Sequence, residues 1–399
     1  VDFELSDDQL ALQSAASSLL ESTLPISRVR QVADSGAAYD QDLWQAIAEQ
    51  GWLGVDSSEE EGGLGAGAVE VAILAEQAGR HLAPVPFLET LLTRSAISEA
   101  LTSGTASSGD VLGGVSLGEW VARLSRGDAV GAPAWSSDVA AVRARTNTRP
   151  KGIPAPGADT SGSDEAVFSL EGRPDPVVYG CDADVVVVAA RECLDGELGE
   201  VGLFALAQAR DSRPAPEERM DRTRRIAWLE LNGVPALRLG GSDLVCSLTD
   251  RAATFVSAQM LGSANRVLEM AIQYAKDRVQ FGRPIGSFQA VKHRLADMLV
   301  DVEGMRSIAY YAAWCVGQGG AESSTAASSA KIWCSDASRR VMASGLQVHG
   351  GIGFTWEHDL HLFLKRAQLD QVSFGDATWH RDRLARILRA RVGSGEPLM

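Results

Sequence analysis

Apolar and polar positions along this chain follow two different periods, and the change between them divides it into three parts. Up to about residue 110 the period is helical. Ser6-Asp7-Asp8 supplies an N-cap, and Leu10, Leu12, Ala15 and Leu19 follow it. Asp42-Leu43-Trp44 opens another helix, which Gly51 ends. The run Glu59–Glu61, followed by Gly62, Gly63, Leu64 and Gly65, predicts an irregular loop into a helix through Val69, Ile73, Leu74 and Ala78. Over 111–240 the texture becomes short β-type runs. Val185–Ala190 and Val201–Ala207 predict buried strands, and Ile226–Leu231 is a third candidate. Between Arg149 and Glu165 the chain is dense in Pro, Gly and Ser, which predicts a mobile surface loop.

Beyond residue 240 the helical period returns. Ser247-Leu248-Thr249-Asp250 predicts the cap of a long helix reaching Arg278, with Val256, Met260, Val267 and Ala271 on its apolar face. A second long helix follows Phe288, with Ala290, Leu295, Met298 and Leu299 at helical spacing. A third covers about 321–345 and a last one about 376–391. Four long helices with short connections predict an up-and-down bundle. The expected fold is mainly α with a central β-domain. An N-terminal helical domain spans 1–110, a middle β-sandwich or barrel 111–240, and a C-terminal four-helix bundle 241–399.

Length and composition narrow the class. A chain of 399 residues accommodates roughly two to three domains, and 45% hydrophobic residues describe a globular protein with a sizeable core. No apolar run is long enough for a membrane span, and the acidic, amphipathic opening residues do not resemble a secretory signal. A net charge of −15 disfavours nucleic acid and anionic membranes as partners. Cys181, Cys193, Cys246, Cys315 and Cys334 are scattered without a C-x-x-C pair, which predicts reduced thiols and a cytoplasmic location. His358 and His361 form an H-x-x-H pair, but no further ligand cluster accompanies them, so no metal is expected. The glycines of GGLGAG fail as a dinucleotide fingerprint, because no apolar strand precedes them and acidic residues flank them.

Candidate chemistry concentrates in two stretches. In the first, Gly282, Pro284 and Gly286 interrupt the helical pattern, and Arg278, Phe281 and Gln289 surround them. A guanidinium, an aromatic face and an amide around a tight turn suit a diphosphate joined to a flat ring system. In the second, Gln347-Val348-His349-Gly350-Gly351-Ile352-Gly353-Phe354, three glycines within four residues expose backbone N–H groups to a phosphate. The pattern Arg278-x-x-Phe281-Gly282-x-Pro284-Ile285-x-x-Phe288-Gln289-x-Val291 resembles the C-terminal signature of the acyl-CoA dehydrogenase family, and Gln347–Phe354 resembles the segment with which that family grips FAD from a neighbouring subunit. The Glu-rich glycine loop near residue 60 and the β-type middle region resemble the same family. The resemblance implies FAD as cofactor, held by Arg278, Phe281, Gln289, Gln347, Gly350, Gly351, Gly353 and Thr378. It also implies an acyl-CoA thioester as substrate, an electron-transfer flavoprotein as acceptor, and a homotetramer or a heterotetramer with a homologous subunit.

The chain departs from the family where the reaction needs it most. The family removes an α-proton from the thioester with a carboxylate while hydride leaves the β-carbon for flavin N5, and a base of this kind contributes about 10²- to 10⁴-fold. Its commonest base is a Glu before Gly-Thr. Counted from the glycine motif, that position is Phe374, followed by Gly375. Asp376 stands two residues later, where Asp376-Ala377-Thr378 imitates Glu-Gly-Thr after a short insertion, and it equally suits the N-cap of the last helix. The alternative family position for the base, early on the helix before Arg278, is Ala252.

In the middle region, Gly131-Ala132-Pro133-Ala134-Trp135-Ser136-Ser137-Asp138 keeps the family's Pro, Ser and Asp, with Ser137 implied to meet substrate, but not its flavin-contacting Thr. Pro176 and Val178 replace the Trp and Thr that flank the flavin ring, which leaves Tyr179 or Trp135 as a possible aromatic wall. The expected function is an FAD-dependent acyl-CoA dehydrogenase using Asp376 or another carboxylate as base; the alternatives are a non-catalytic subunit that completes a partner's flavin site in a hetero-oligomer and, on thinner support, a relative that oxidises nitroalkanes with an Asp base.

Overall fold

The computed structural model describes residues 4–58, 63–147, 167–194 and 197–395. Glu59–Gly62 and the Pro/Gly/Ser-rich stretch between Arg149 and Glu165 lie outside the described residues. The chain forms two compact units. One comprises Val1–Leu88, Arg219–Arg224 and Thr249–Met399; the other comprises Glu89–Glu218 and Arg225–Leu248.

The first unit is helical. Helix α1 (Asp7–Thr23) starts as its sequence predicts. The Ser6 hydroxyl accepts the Gln9 N–H at 3.2 Å, and the Gln9 side chain accepts the Ser6 N–H at 3.0 Å, a reciprocal capping box. Helix α2 covers Ile26–Ser35. Helix α3 (Gln41–Glu49) is capped by Asp40, and Gly51 turns the chain out of it at φ 74°. Helix α4 (Ala68–Arg80) is buried continuously from Val71 to Gly79. It crosses a long C-terminal helix with backbones in direct contact. A Cβ on Gly79 would lie 2.0 Å from the Gln259 carbonyl oxygen, and one on Gly262 would lie 1.8 Å from that of Glu76. At this crossing the buried Glu76 carboxylate accepts from Arg306 at 2.8 Å and from the Tyr310 hydroxyl at 2.6 Å, as a carboxylate removed from water must.

Helix α5 (Phe87–Thr102) leaves this unit and α6 (Leu117–Ser125) follows in the second. The second unit is built on a six-stranded sheet: β1 (Gly131–Ala134), β2 (Val142–Asn147), β3 (Val167–Gly172), β4 (Val185–Leu194), β5 (Glu197–Ala207) and β6 (Leu231–Gly240). The order is β1-β4-β2-β3-β6-β5, and β5 pairs back onto β4, so the sheet closes. β1 and β2 lie parallel to successive stretches of β4, and the other pairings are antiparallel. Val185–Val188 are fully buried, as expected of a strand with neighbours on both edges. The segment expected as a strand over Ile226–Leu231 divides: Ile226–Ala227 pairs with Val177–Val178, and the sheet strand begins at Leu231.

Helix α7 (Ser242–Asp277) starts upstream of its expected cap. Ser247–Asp250 therefore lie inside the helix. The Asp250 carboxylate is buried and accepts from Arg383 at 2.5 Å and Ser324 at 2.6 Å instead of from its own backbone. Helices α8 (Gln289–Gln318), α9 (Glu322–His349) and α11 (Ala377–Ser394) match the predicted segments. An unpredicted helix, α10 (Leu360–Val372), packs on α9 between them. The apolar stripe of α7, including Phe255, Val256, Met260, Leu261, Val267 and Leu268, is buried, each large side chain contributing about 1.5–3 kcal/mol. No described helix is long and apolar enough to cross a membrane.

Candidate functional site

Directly after α7, Val279–Gln280 pairs antiparallel with Arg283–Pro284 around Phe281 and Gly282. Both corner residues are left-handed, at φ 52° and 77°, the signature of a type I′ turn. Phe at such a corner costs on the order of 1 kcal/mol, and here its side chain is 92% exposed. Its ring meets Phe288 edge-on at 6.1 Å between centroids. Arg278 stands at the foot of the hairpin, exposed and without a side-chain partner among the described residues. Gln289, also exposed, opens α8, whose first turn has no side-chain cap; its free N–H groups favour an anion.

The glycine-rich motif ends α9. Gly350 reverses the chain at φ 63°, and Gly350–Phe354 forms a 3₁₀ turn. A Cβ on Gly351 would meet nothing within 4 Å, whereas Gly353 is packed against His349. Gln347 and Gly351 face solvent, together with Ile352, Phe354 and Trp356. The two motifs sit at one end of the helical unit, because Tyr274, one turn before Arg278, stacks on His349 at 4.6 Å. Burial, outweighing the hydrogen bond from His349 Nδ1 to the Gly345 carbonyl, lowers the pKa of that imidazole. The stack was not legible in the sequence; an aromatic residue one turn before the Arg and a His before the Gly-Gly are its only signals.

The base positions fare differently. Asp376 is the N-cap of α11: its Oδ1 accepts the Trp379 N–H at 2.8 Å. Thr378 is exposed in the first turn of that helix. Phe374 is half-buried at φ 56°, and Ala252 is fully buried. In the second unit the Ser137 N–H donates to Asp175 at 2.9 Å. Gly131 stands so close to Thr93 that a Cβ would lie 2.6 Å from the Thr93 Cβ, so this strand has no room for the threonine of the family pattern. Tyr179 is fully buried and offers no open aromatic wall; Trp135 is half-buried. His358 accepts the Leu360 N–H through Nδ1 at 3.2 Å, and among the described residues no group of three or more His, Cys, Asp and Glu could hold a metal. All five cysteines are free.

Comparison with known proteins places the chain in a family. The acyl-CoA dehydrogenase N-terminal domain model matches residues 6–106 and the acyl-CoA dehydrogenase C-terminal domain model matches 240–389. The chain belongs to the acyl-CoA dehydrogenase family of flavin-dependent oxidoreductases. It is 32% identical to acyl-CoA dehydrogenase IpdE2 of Mycobacterium tuberculosis, over 90% of this chain and 91% of that protein. Among solved structures, a variant of the Tcur3481-Tcur3483 steroid ACAD aligns with a TM-score of 0.82 at 27% identity, covering 97% of this chain and 99% of that one. The ChsE4-ChsE5 complex from Mycobacterium tuberculosis aligns at 0.80 and 27% identity, covering 98% and 99%.

Proposed function

We propose that this chain is the flavin-completing subunit of a hetero-oligomeric acyl-CoA dehydrogenase and carries no catalytic base of its own. The observation that carries the reading is the fate of the base positions: Phe374 and Ala252 occupy the two places the family uses, and the Asp376 carboxylate is engaged as a helix cap. The residues at the end of the helical unit fit one part of FAD, its diphosphate. Arg278 offers a guanidinium unpaired among the described residues, Gln289 and Gln347 offer amides, and the open space at Gly351 would let an oxyanion approach backbone N–H groups. The residues that would flank a flavin ring do not fit in the same way, since Gly131 has no room for a hydroxyl-bearing side chain and Pro176 and Val178 replace the Trp and Thr.

On this reading Arg278, Gln289 and the Gly350–Gly353 turn would hold the diphosphate of FAD, and Phe281 would offer it an aromatic face. The bound flavin supplies the hydride acceptor. The partner would supply the carboxylate that takes the α-proton of the acyl-CoA thioester, with an electron-transfer flavoprotein as the final acceptor. The two-component names of both structural neighbours support a heteromeric assembly, and the word steroid in one of them supports a bulky polycyclic acyl group. Expression with and without a homologous subunit tests the proposal. The chain alone should purify colourless, and the pair should be yellow and bleach with a CoA thioester. A chain that is yellow by itself and bleaches without a partner overturns the reading in favour of a self-sufficient dehydrogenase.

A further inference from the structure

The loop Ser373–Asp376, between α10 and α11, is held from the interior in a way the sequence does not announce. Its two central residues are both left-handed, Phe374 at φ 56° and Gly375 at φ 93°. Lys331 reaches it from α9 and is fully buried. Its Nζ donates to the carbonyls of Asp370 at 3.0 Å, Gln371 at 2.8 Å and Gly375 at 2.8 Å. The first two belong to the last turn of α10, where carbonyls lack intrahelical partners; the third belongs to the loop. His380 Nε2 donates to the Phe374 carbonyl at 2.9 Å. Both left-handed residues thus have their carbonyls tied to side chains from the bundle.

Donor counting makes the charge state matter. An ammonium has three N–H groups, and three carbonyls face it; a neutral amine has two and would aim a lone pair at the remaining oxygen. The groups around Lys331 come from every element packed on it. Asp370 of α10 is fully buried, with Oδ1 on Arg224 at 3.1 Å and Oδ2 without a partner among the described residues. Arg366, one turn earlier, is engaged by Asp221 at 2.7 Å. On α9 burial pushes the Cys334 thiol up to about 12, and on α11 burial pushes His380 down to about 3, so both are neutral. Arg383 pairs with Asp250, and Asp376 caps α11. Burial pushes the Lys331 amine down to about 7, against the opposing pull of the Asp370 and Asp376 carboxylates.

We propose that Lys331 is a positioning residue whose ammonium fixes the Ser373–Asp376 loop, the loop that stands where the family carries its base, and that loss of its proton releases the loop. This holds whether or not the chain carries a base. Hydrogen exchange of the full-length chain, corrected for intrinsic rates, tests it through the Ser373 and Trp379 amides, which are bonded to the Leu369 carbonyl and to Asp376. Between about pH 6 and about pH 9 their protection should fall roughly tenfold, the equivalent of one lost hydrogen bond, while the amides of α4 stay unchanged. In Lys331→Gln, which cannot titrate, protection should be low at both values with no step. Equal loop protection in the wild type at both pH values, or a step that persists in Lys331→Gln, overturns the proposal. If that variant fails to fold, the wild-type step measured against α4 still decides.

Discussion

Substitution of Asp376 separates cap from base, because the two roles fail differently. Its Oδ1 holds the Trp379 N–H at 2.8 Å in the first turn of α11. Asp376→Asn keeps a side-chain oxygen in the same place, and Asn caps as well as Asp, but an amide takes no proton. Asp376→Ala removes both functions. As a cap, Asp376→Ala should cost about 1 kcal/mol of helical-unit stability. Asp376→Asn should cost only the charge interaction with the helix dipole, about 0.3 kcal/mol at an exposed end. Neither should change the rate at which an acyl-CoA bleaches the flavin of the assembled complex. As a base, Asp376→Asn would instead slow bleaching by about 10²- to 10⁴-fold at unchanged stability. Urea unfolding followed by far-UV circular dichroism reads the first quantity, and stopped-flow absorbance reads the second. An Asn variant that unfolds like the wild type yet bleaches at least a hundredfold more slowly would refute the assignment of this carboxylate to capping.

Other perturbations have equally definite outcomes. Gly262→Ala places a Cβ 1.8 Å from the Glu76 carbonyl oxygen and 2.8 Å from the Arg80 nitrogen, both backbone atoms; it should cost about 3 kcal/mol or more in urea unfolding. Gly351→Ala meets nothing and should leave stability unchanged while weakening flavin retention by the complex. Arg278→Gln removes an exposed guanidinium, so the melting curve should not move, whereas flavin affinity measured by fluorescence should drop roughly 10- to 100-fold. Glu76→Ala removes the partner of the Tyr310 hydroxyl at the α4 crossing and leaves the partly exposed Arg306 with Glu303 alone; it should cost about 1–3 kcal/mol.

Acid should destabilise the fold before its carboxylates titrate. Burial holds His380 down to about 3 and keeps His81, His349 and His361 below their ordinary value of 6.5. Each such imidazole takes up its proton only on unfolding, so its contribution is complete above about pH 6.5 and is lost as the pH falls from there toward the folded value. The urea midpoint should decline below about pH 6.5, and less steeply in His380→Gln. A midpoint independent of pH down to the carboxylate range would contradict this.

Much of the architecture was legible from periodicity alone. The N-cap at Ser6, the reversal at Gly51, the valine run of β4 and three of the long bundle helices stand where local pattern placed them, because each depends on residues close in sequence. The start of α7 did not. Ser247–Asp250 has the composition of a cap, but the Asp250 carboxylate is drawn to Arg383, 133 positions away, and the helix continues back to Ser242. Helix α10 escaped prediction for a related reason: its polar residues include Arg366 and Asp370, whose burial rests on partners at Asp221 and Arg224 that no local window contains.

The sequence by itself determined the family, since the Arg278–Val291 and Gln347–Phe354 patterns that carry the resemblance are made of residues at fixed local spacing. Only the tertiary structure decided what those residues face and what the doubtful ones do. It stacked Tyr274 on His349 so that the two motifs share one end of the bundle, engaged Asp376 in capping, and ran Lys331 into three carbonyls 39 to 44 positions away. The physical reason is burial. A charge or a backbone carbonyl removed from water must find a partner wherever the fold supplies one, and that partner's position along the chain is not encoded in any local pattern.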